Sequence, residues 1–188
     1  MFLLLSVAAI LIIYFWTRFS ERTANDVPPF LLKIDMEAVY GTFYPETEEH
    51  LRDSLPHGEF KRVQWKRIHL AIHYCKQISH NSAVFLGWTR HERKQSWDAM
   101  NYGTRKTVQE LRIACLQSIL CAFMVRLRLR AWLLRTALLP FADTPSFTML
   151  LHHGSTDMIT FYDTVKAQAE VFSLAYGEEY HQQLMQAL

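Results

Sequence analysis

Residues 104–139 read TRKTVQELRIACLQSILCAFMVRLRLRAWLLRTALL, and this stretch decides the fold class. Neither proline nor glycine interrupts it before Pro140, so a single helix can run its whole length. Its middle, Ile113 to Val125, carries no charge and is apolar on nearly every side. A helix apolar all round is either a central buried element or a membrane segment. The 13 residues between Arg112 and Arg126 fall short of the roughly 20 needed to cross hydrocarbon. The expectation is a buried core helix. The alternation Val125-Arg126-Leu127-Arg128-Leu129-Arg130 also fits a strand, but its place within a longer helical pattern favours helix.

Similar patterns flank it. From about Phe60 to Trp97, the residues Trp65, Ile68, Ile72, Cys75, Ile78, Phe85 and Leu86 share one broad apolar face. Asn101-Tyr102-Gly103 supplies a turn between the two stretches. Towards the C-terminus, Met158, Phe161, Tyr162, Val165, Ala169, Phe172, Tyr176 and Tyr180 fall within about 100° on a helical wheel, which predicts a third long helix. Ser155, Thr156 and Asp157 are its N-cap candidates, and Gly154 suits the end of a short helix starting near Asp143-Thr144-Pro145. A further short helix over Pro45 to Leu55 covers the remaining seam. Three long helices of similar length with short connections imply an all-α, antiparallel helical bundle. A parallel-sheet enzyme fold has no support.

The chain opens differently. Phe2 to Trp16 is uncharged, with only Ser6 and Tyr14 breaking the apolar run. Met1 to Thr17 just reaches the lower limit of about 17 residues for a membrane span. A cleaved signal would carry positive charge before the apolar run and small residues after it. Here Tyr14, Phe15, Trp16 and Phe19 stand where small residues would be needed, so a retained signal-anchor is favoured. Arg18 and Arg22 follow it, which places the N-terminus outside and the remainder in the cytoplasm. The expected organisation is a transmembrane anchor (1–17), a polar linker (18–29) ending in the extended step Pro28-Pro29, and a cytoplasmic helical domain (30–188). Cys75, Cys115 and Cys121 are odd in number and form no CxxC pair, which suits a reducing compartment.

Net charge is +2, but it is segregated: −5 over residues 27–59, +7 over 60–97, +6 over 104–139 and −5 over 140–188. Arg62, Lys66, His69, His73, Lys76, His80, His91 and Lys94 form a basic ridge within about 80° of one another. Such a ridge serves as a solvated face, as a contact for anionic lipid headgroups, or as a site for an acidic protein partner. Nucleic acid is not expected, because no recognisable reading motif or aromatic platform accompanies it.

Metal chemistry has two weak starting points. His69 and His73 are four apart on one helix face, and Glu178 with His181 makes a Glu-x-x-His pair. Neither completes a site: the first lacks a third ligand, and a di-iron bundle needs two Glu-x-x-His units and two further glutamates. His152-His153-Gly154-Ser155 resembles an oxyanion loop only superficially, since no Gly-x-Ser-x-Gly elbow supplies a nucleophile. No cofactor is expected, and no catalytic set is assembled. The sequence therefore points to a non-enzymatic, membrane-tethered helical scaffold or accessory subunit, with the bilayer and a protein partner in a membrane complex as its contacts. A metal-binding or cofactor-binding bundle enzyme and a peripheral anionic-lipid-binding module are the alternatives.

Overall fold

A computed structural model describes residues 22–138 and 154–188. Every regular element among these residues is helical: α1 (Val27–Phe30), α2 (Met36–Phe43), α3 (Pro45–Ser54), α4 (His57–Gln95), α5 (Tyr102–Leu138), α6 (Gly154–Ser173) and α7 (Glu178–Ala187). Single 3-10 turns occupy Ala24–Asp26 and Leu174–Tyr176. The anchor expected over 1–17 and the short helix expected near residues 143–145 lie outside the described residues.

Three long helices build the core, and each carries a line of buried positions spaced alternately by three and four residues. In α4 these are Ile68, Ala71, Cys75, Ile78, Ser82, Phe85 and Thr89; in α5, Val108, Leu111, Cys115, Ser118, Ala122, Val125, Leu129 and Trp132. In α6 they are Ser155, Met158, Tyr162, Val165, Ala169 and Phe172. That mean spacing of about 3.5 residues keeps one seam facing the neighbours along the whole length of each helix. Small side chains at Ala71, Cys75, Cys115, Ser118, Ala122 and Ala169 let the helices approach closely. The seam also sets direction. The hydroxyls of Ser82 and Ser118 meet at 3.0 Å, so α4 and α5 run antiparallel with these residues level. Cys75 meets Met158, Asn81 meets Tyr162 and Trp88 meets Phe172, so α6 runs parallel to α4 and antiparallel to α5.

Helix ends follow local chemistry. Asn101 caps α5 by accepting from the Thr104 N–H at 2.8 Å, so the turn lies just before Asn101 rather than across it. Asp35 caps α2 through the Ala38 N–H. Pro28 and Pro29 are not an extended step; they occupy the first turn of α1, where a missing N–H costs nothing. Gly154 lies within α6. The largest departure is at the C-terminus. The expected single helix through Tyr180 stops at Ser173, and Gly177 (φ 99°) turns the chain into α7. The apolar stripe nonetheless continues, because Tyr176 and Tyr180 fold back onto Trp88 with ring centroids 5.4 and 5.8 Å away.

Residues 22–34 lie along α4 as a strap. Val27 is fully buried, Tyr180 donates to the Ala24 carbonyl at 3.0 Å, and the Arg22 guanidinium sits 3.8 Å from the Phe30 ring centre. Asn81 pins the strap with both ends of its amide: Oδ1 accepts from Leu32 N–H (2.9 Å), and Nδ2 donates to Leu32 C=O (2.7 Å). At the other end of the bundle, Arg67 donates to the carbonyls of Thr42 and Tyr44, which fixes the corner between α2 and α3. Burial lowers the pKa of its guanidinium, and the nearby Glu48 charge acts in the opposite sense.

Candidate functional site

The basic ridge of α4 is where the wheel places it. Arg62, Lys66, His69, His73, Lys76, His80 and Lys94 are exposed, with His91 half-buried. Several of its members are occupied structurally. His80 Nε2 bonds the Phe30 carbonyl at 3.0 Å, and His69 Nδ1 bonds the Trp65 carbonyl at 2.8 Å while its ring stacks on that indole.

The four candidate ligands do not converge. His69 has one ring nitrogen engaged as just described. Glu178 Oε1 accepts from Gln182, and His181 Nδ1 lies 2.7 Å from Ser173 Oγ at the far end of α6. Ser173 follows Phe172, which packs on Trp88, and Trp88 lies 15 residues beyond His73, about 22 Å along α4. The two pairs therefore belong to opposite parts of the bundle. Among the described residues, no group of three or more His, Cys, Asp or Glu side chains is placed to hold a metal ion. His152 and His153 lie outside the described residues, and Ser155 is a buried seam residue. Cys75 and Cys115 are buried in the seam; burial pushes the Cys75 thiol up to about 12, far from the thiolate that nucleophilic chemistry needs. The Tyr176 hydroxyl, held well above its ordinary range by burial and by its hydrogen bond to Glu92, belongs to the strap-side aromatic cluster.

The unusual surface is elsewhere, on α5. The expectation that Ile113–Val125 is a core segment holds for only one of its faces. Opposite the seam, Ile113, Leu116, Leu120, Met124, Leu127, Leu134 and Leu138 are between 41 % and 69 % exposed, and Ala131 is exposed with them. These eight positions fall within about 80° on a helical wheel and extend about 37 Å along the helix. Large scattered apolar residues are ordinary on a surface, whereas a continuous stripe of this length is not. The signal was present in the sequence as a second 7-residue repeat, Ile113, Leu120, Leu127 and Leu134, interleaved with the buried one. Two apolar stripes on opposite faces of one helix produce the all-round apolar pattern, so periodicity alone merges them.

Charge frames this stripe. Arg128 and Arg135 border one side and Arg112 and Arg130 the other. The single acidic residue of α5, Glu110, is paired with Lys106 at 3.7 Å. By length and composition α5 is the one described helix able to cross a membrane, with 44 % of its most apolar window buried inside the fold, which is weak evidence for membrane association. Comparison of the chain with protein-family models, with curated proteins and with solved structures found no match.

Proposed function

We propose that this chain is a non-enzymatic, membrane-tethered helical module, and that the outer face of α5 is the working surface by which it is held in a membrane-associated assembly. The observation that carries this reading is the continuous exposed stripe from Ile113 to Leu138. Fully burying a large aliphatic side chain is worth about 1.5–3 kcal/mol, so covering seven half-exposed ones is a substantial driving force for docking. The apolar run Phe2–Trp16 brings the domain to the bilayer, and Arg18 and Arg22 put it on the cytoplasmic side. An enzyme reading has less support, since the candidate ligands are dispersed and the buried thiols are held protonated.

Cysteine accessibility in isolated native membranes tests it. In the full chain carrying Cys121→Ser, Leu120→Cys and Leu127→Cys should react slowly with a membrane-impermeant maleimide, while Lys76→Cys on the α4 ridge reacts fast. Equal rates at all three positions, or recovery of the chain in the soluble fraction, would remove the proposal.

A further inference from the structure

Resting on that reading, we infer that what covers the outer face of α5 is an anionic lipid surface, in which the helix lies flat with its stripe at the boundary between headgroups and acyl chains. Three observations converge on this occupant.

The first is charge complementarity. The segment 104–139 carries +6, and its arginines Arg112, Arg128, Arg130 and Arg135 border the apolar stripe rather than standing opposite it. A helix that rests in the interface has this arrangement: apolar side chains enter the acyl boundary, while the long cationic side chains beside them reach the phosphates. A second copy of α5 meets the opposite condition. Apposing two stripes would set arginine against arginine along both edges, with only Glu110, already engaged by Lys106, to offset them. An acidic partner is required, and a cytoplasmic leaflet is one.

The second is the length of the uncharged part. Only residues 113–125 are free of charge, while the stripe continues through Leu127, Leu134 and Leu138 among arginines. Threading α5 across a bilayer would carry Arg126, Arg128 and Arg130 into hydrocarbon, whereas lying in plane keeps the exposed Arg128 and Arg130 at the headgroup level and leaves the half-buried Arg126 against the bundle.

The third is the company α5 keeps. With Ser82 level with Ser118 and the two helices antiparallel, Lys76 stands level with Met124 and His73 with Leu127. Both α4 residues are exposed, so a spanning α5 would draw them into the membrane interior. In the flat arrangement α4 and α6 remain on the water side, and the basic ridge of α4 stays solvated.

Spin labels report both depth and direction. Labels would be placed singly at Leu116→Cys, Leu120→Cys, Leu127→Cys and Leu134→Cys in the full chain with Cys121→Ser, reconstituted in vesicles. One vesicle set is phosphatidylcholine and the other phosphatidylcholine with phosphatidylglycerol; collisions with oxygen and with a water-soluble nickel chelate are read for each. The expected result is one common shallow depth, about 5–10 Å, at all four positions in phosphatidylglycerol vesicles. In pure phosphatidylcholine, nickel access should rise several-fold at every position. Arg128→Gln with Arg130→Gln and Arg135→Gln should erase that difference between the two lipids. A depth that peaks midway along the series would mean a spanning helix and overturn the inference. So would low access to both reagents, which marks cover by protein, whether the N-terminal apolar segment or a second copy. Identical profiles in the two lipids would overturn it as well. These outcomes leave a covered working face intact, whereas failure of the maleimide test removes the wider reading itself.

Discussion

Replacing Asn81 with leucine should detach the strap from the bundle. The side chain is fully buried and makes three hydrogen bonds: from Leu32 N–H, to Leu32 C=O and to the Tyr162 hydroxyl at 2.9 Å. Leucine has nearly the same volume, so the change removes polar partners without opening a large cavity. Leu32 lies at the surface and water can replace part of what its backbone loses, about 1 kcal/mol for each group. Tyr162 is completely buried, and leaving its hydroxyl with no amide costs about 2 kcal/mol more. The sum is about 4 kcal/mol, which for a domain of this size lowers Tm by about 10 °C. Circular dichroism of the full chain in mild detergent measures it. Limited trypsinolysis gives a second readout, because cleavage after Lys33, exposed on the strap, should accelerate strongly. The partner residue supplies an internal control: in the double variant with Tyr162→Phe, about 1 kcal/mol of the loss should be regained, since the orphaned hydroxyl is gone. A Tm within 2 °C of the parent, with unchanged cleavage after Lys33, would refute the reasoning and show that the strap is held by Val27, Tyr180 and His80 without the Asn81 amide.

Two further outcomes follow from local geometry. Gly177 has φ 99° and ψ 164°, a region essentially confined to glycine, and no atom lies within 4 Å of a Cβ built there. Gly177→Ala therefore costs backbone strain alone, about 1–3 kcal/mol, while Gly41→Ala, equally open but helical, should stabilise; thermal melts of the two variants must move in opposite directions. Burial pushes the Tyr162 hydroxyl up to about 12, with the Asn81 amide pulling the other way. An unfolded tyrosine ionises near pH 10, so above that pH the unfolded chain holds fewer protons than the folded one. Tm should fall from pH 10 to pH 12, be insensitive to this group below pH 10, and fall less steeply in Tyr162→Phe; equal slopes in the two proteins would contradict the assignment.

The legibility of this fold differs from element to element. The α4 helix was readable almost to its ends, 60–97 against His57–Gln95, and the start of α5 within two residues, 104 against Tyr102, because the apolar period runs on through both stretches. The C-terminal helix was overextended. Its stripe remains in phase through Tyr176 and Tyr180, and a wheel does not register that Gly177 reverses the chain while returning those rings to Trp88. The basic ridge was legible as a ridge, since exposure of a charged face follows from its period. The separation of His69 and His73 from Glu178 and His181 was not, since spacing along a helix says nothing about how far apart two helices' residues end up.

By itself the sequence determined the all-helical class, the course of α4 and α5 and the segregation of charge, because these depend on residue order within one helix at a time. Which face of α5 is core and which is surface is a different kind of question. Both faces are apolar, both repeat at about 3.5 residues, and either would serve as a seam. Only the packing of α4 and α6 against Val108, Cys115, Ala122 and Leu129 commits one face to the interior, where small side chains permit close approach. The larger Ile113, Leu120, Leu127 and Leu134 are then left on the outside. The candidate docking face is thus a product of tertiary structure: it exists because the bundle has three long helices and the central one has an apolar face to spare.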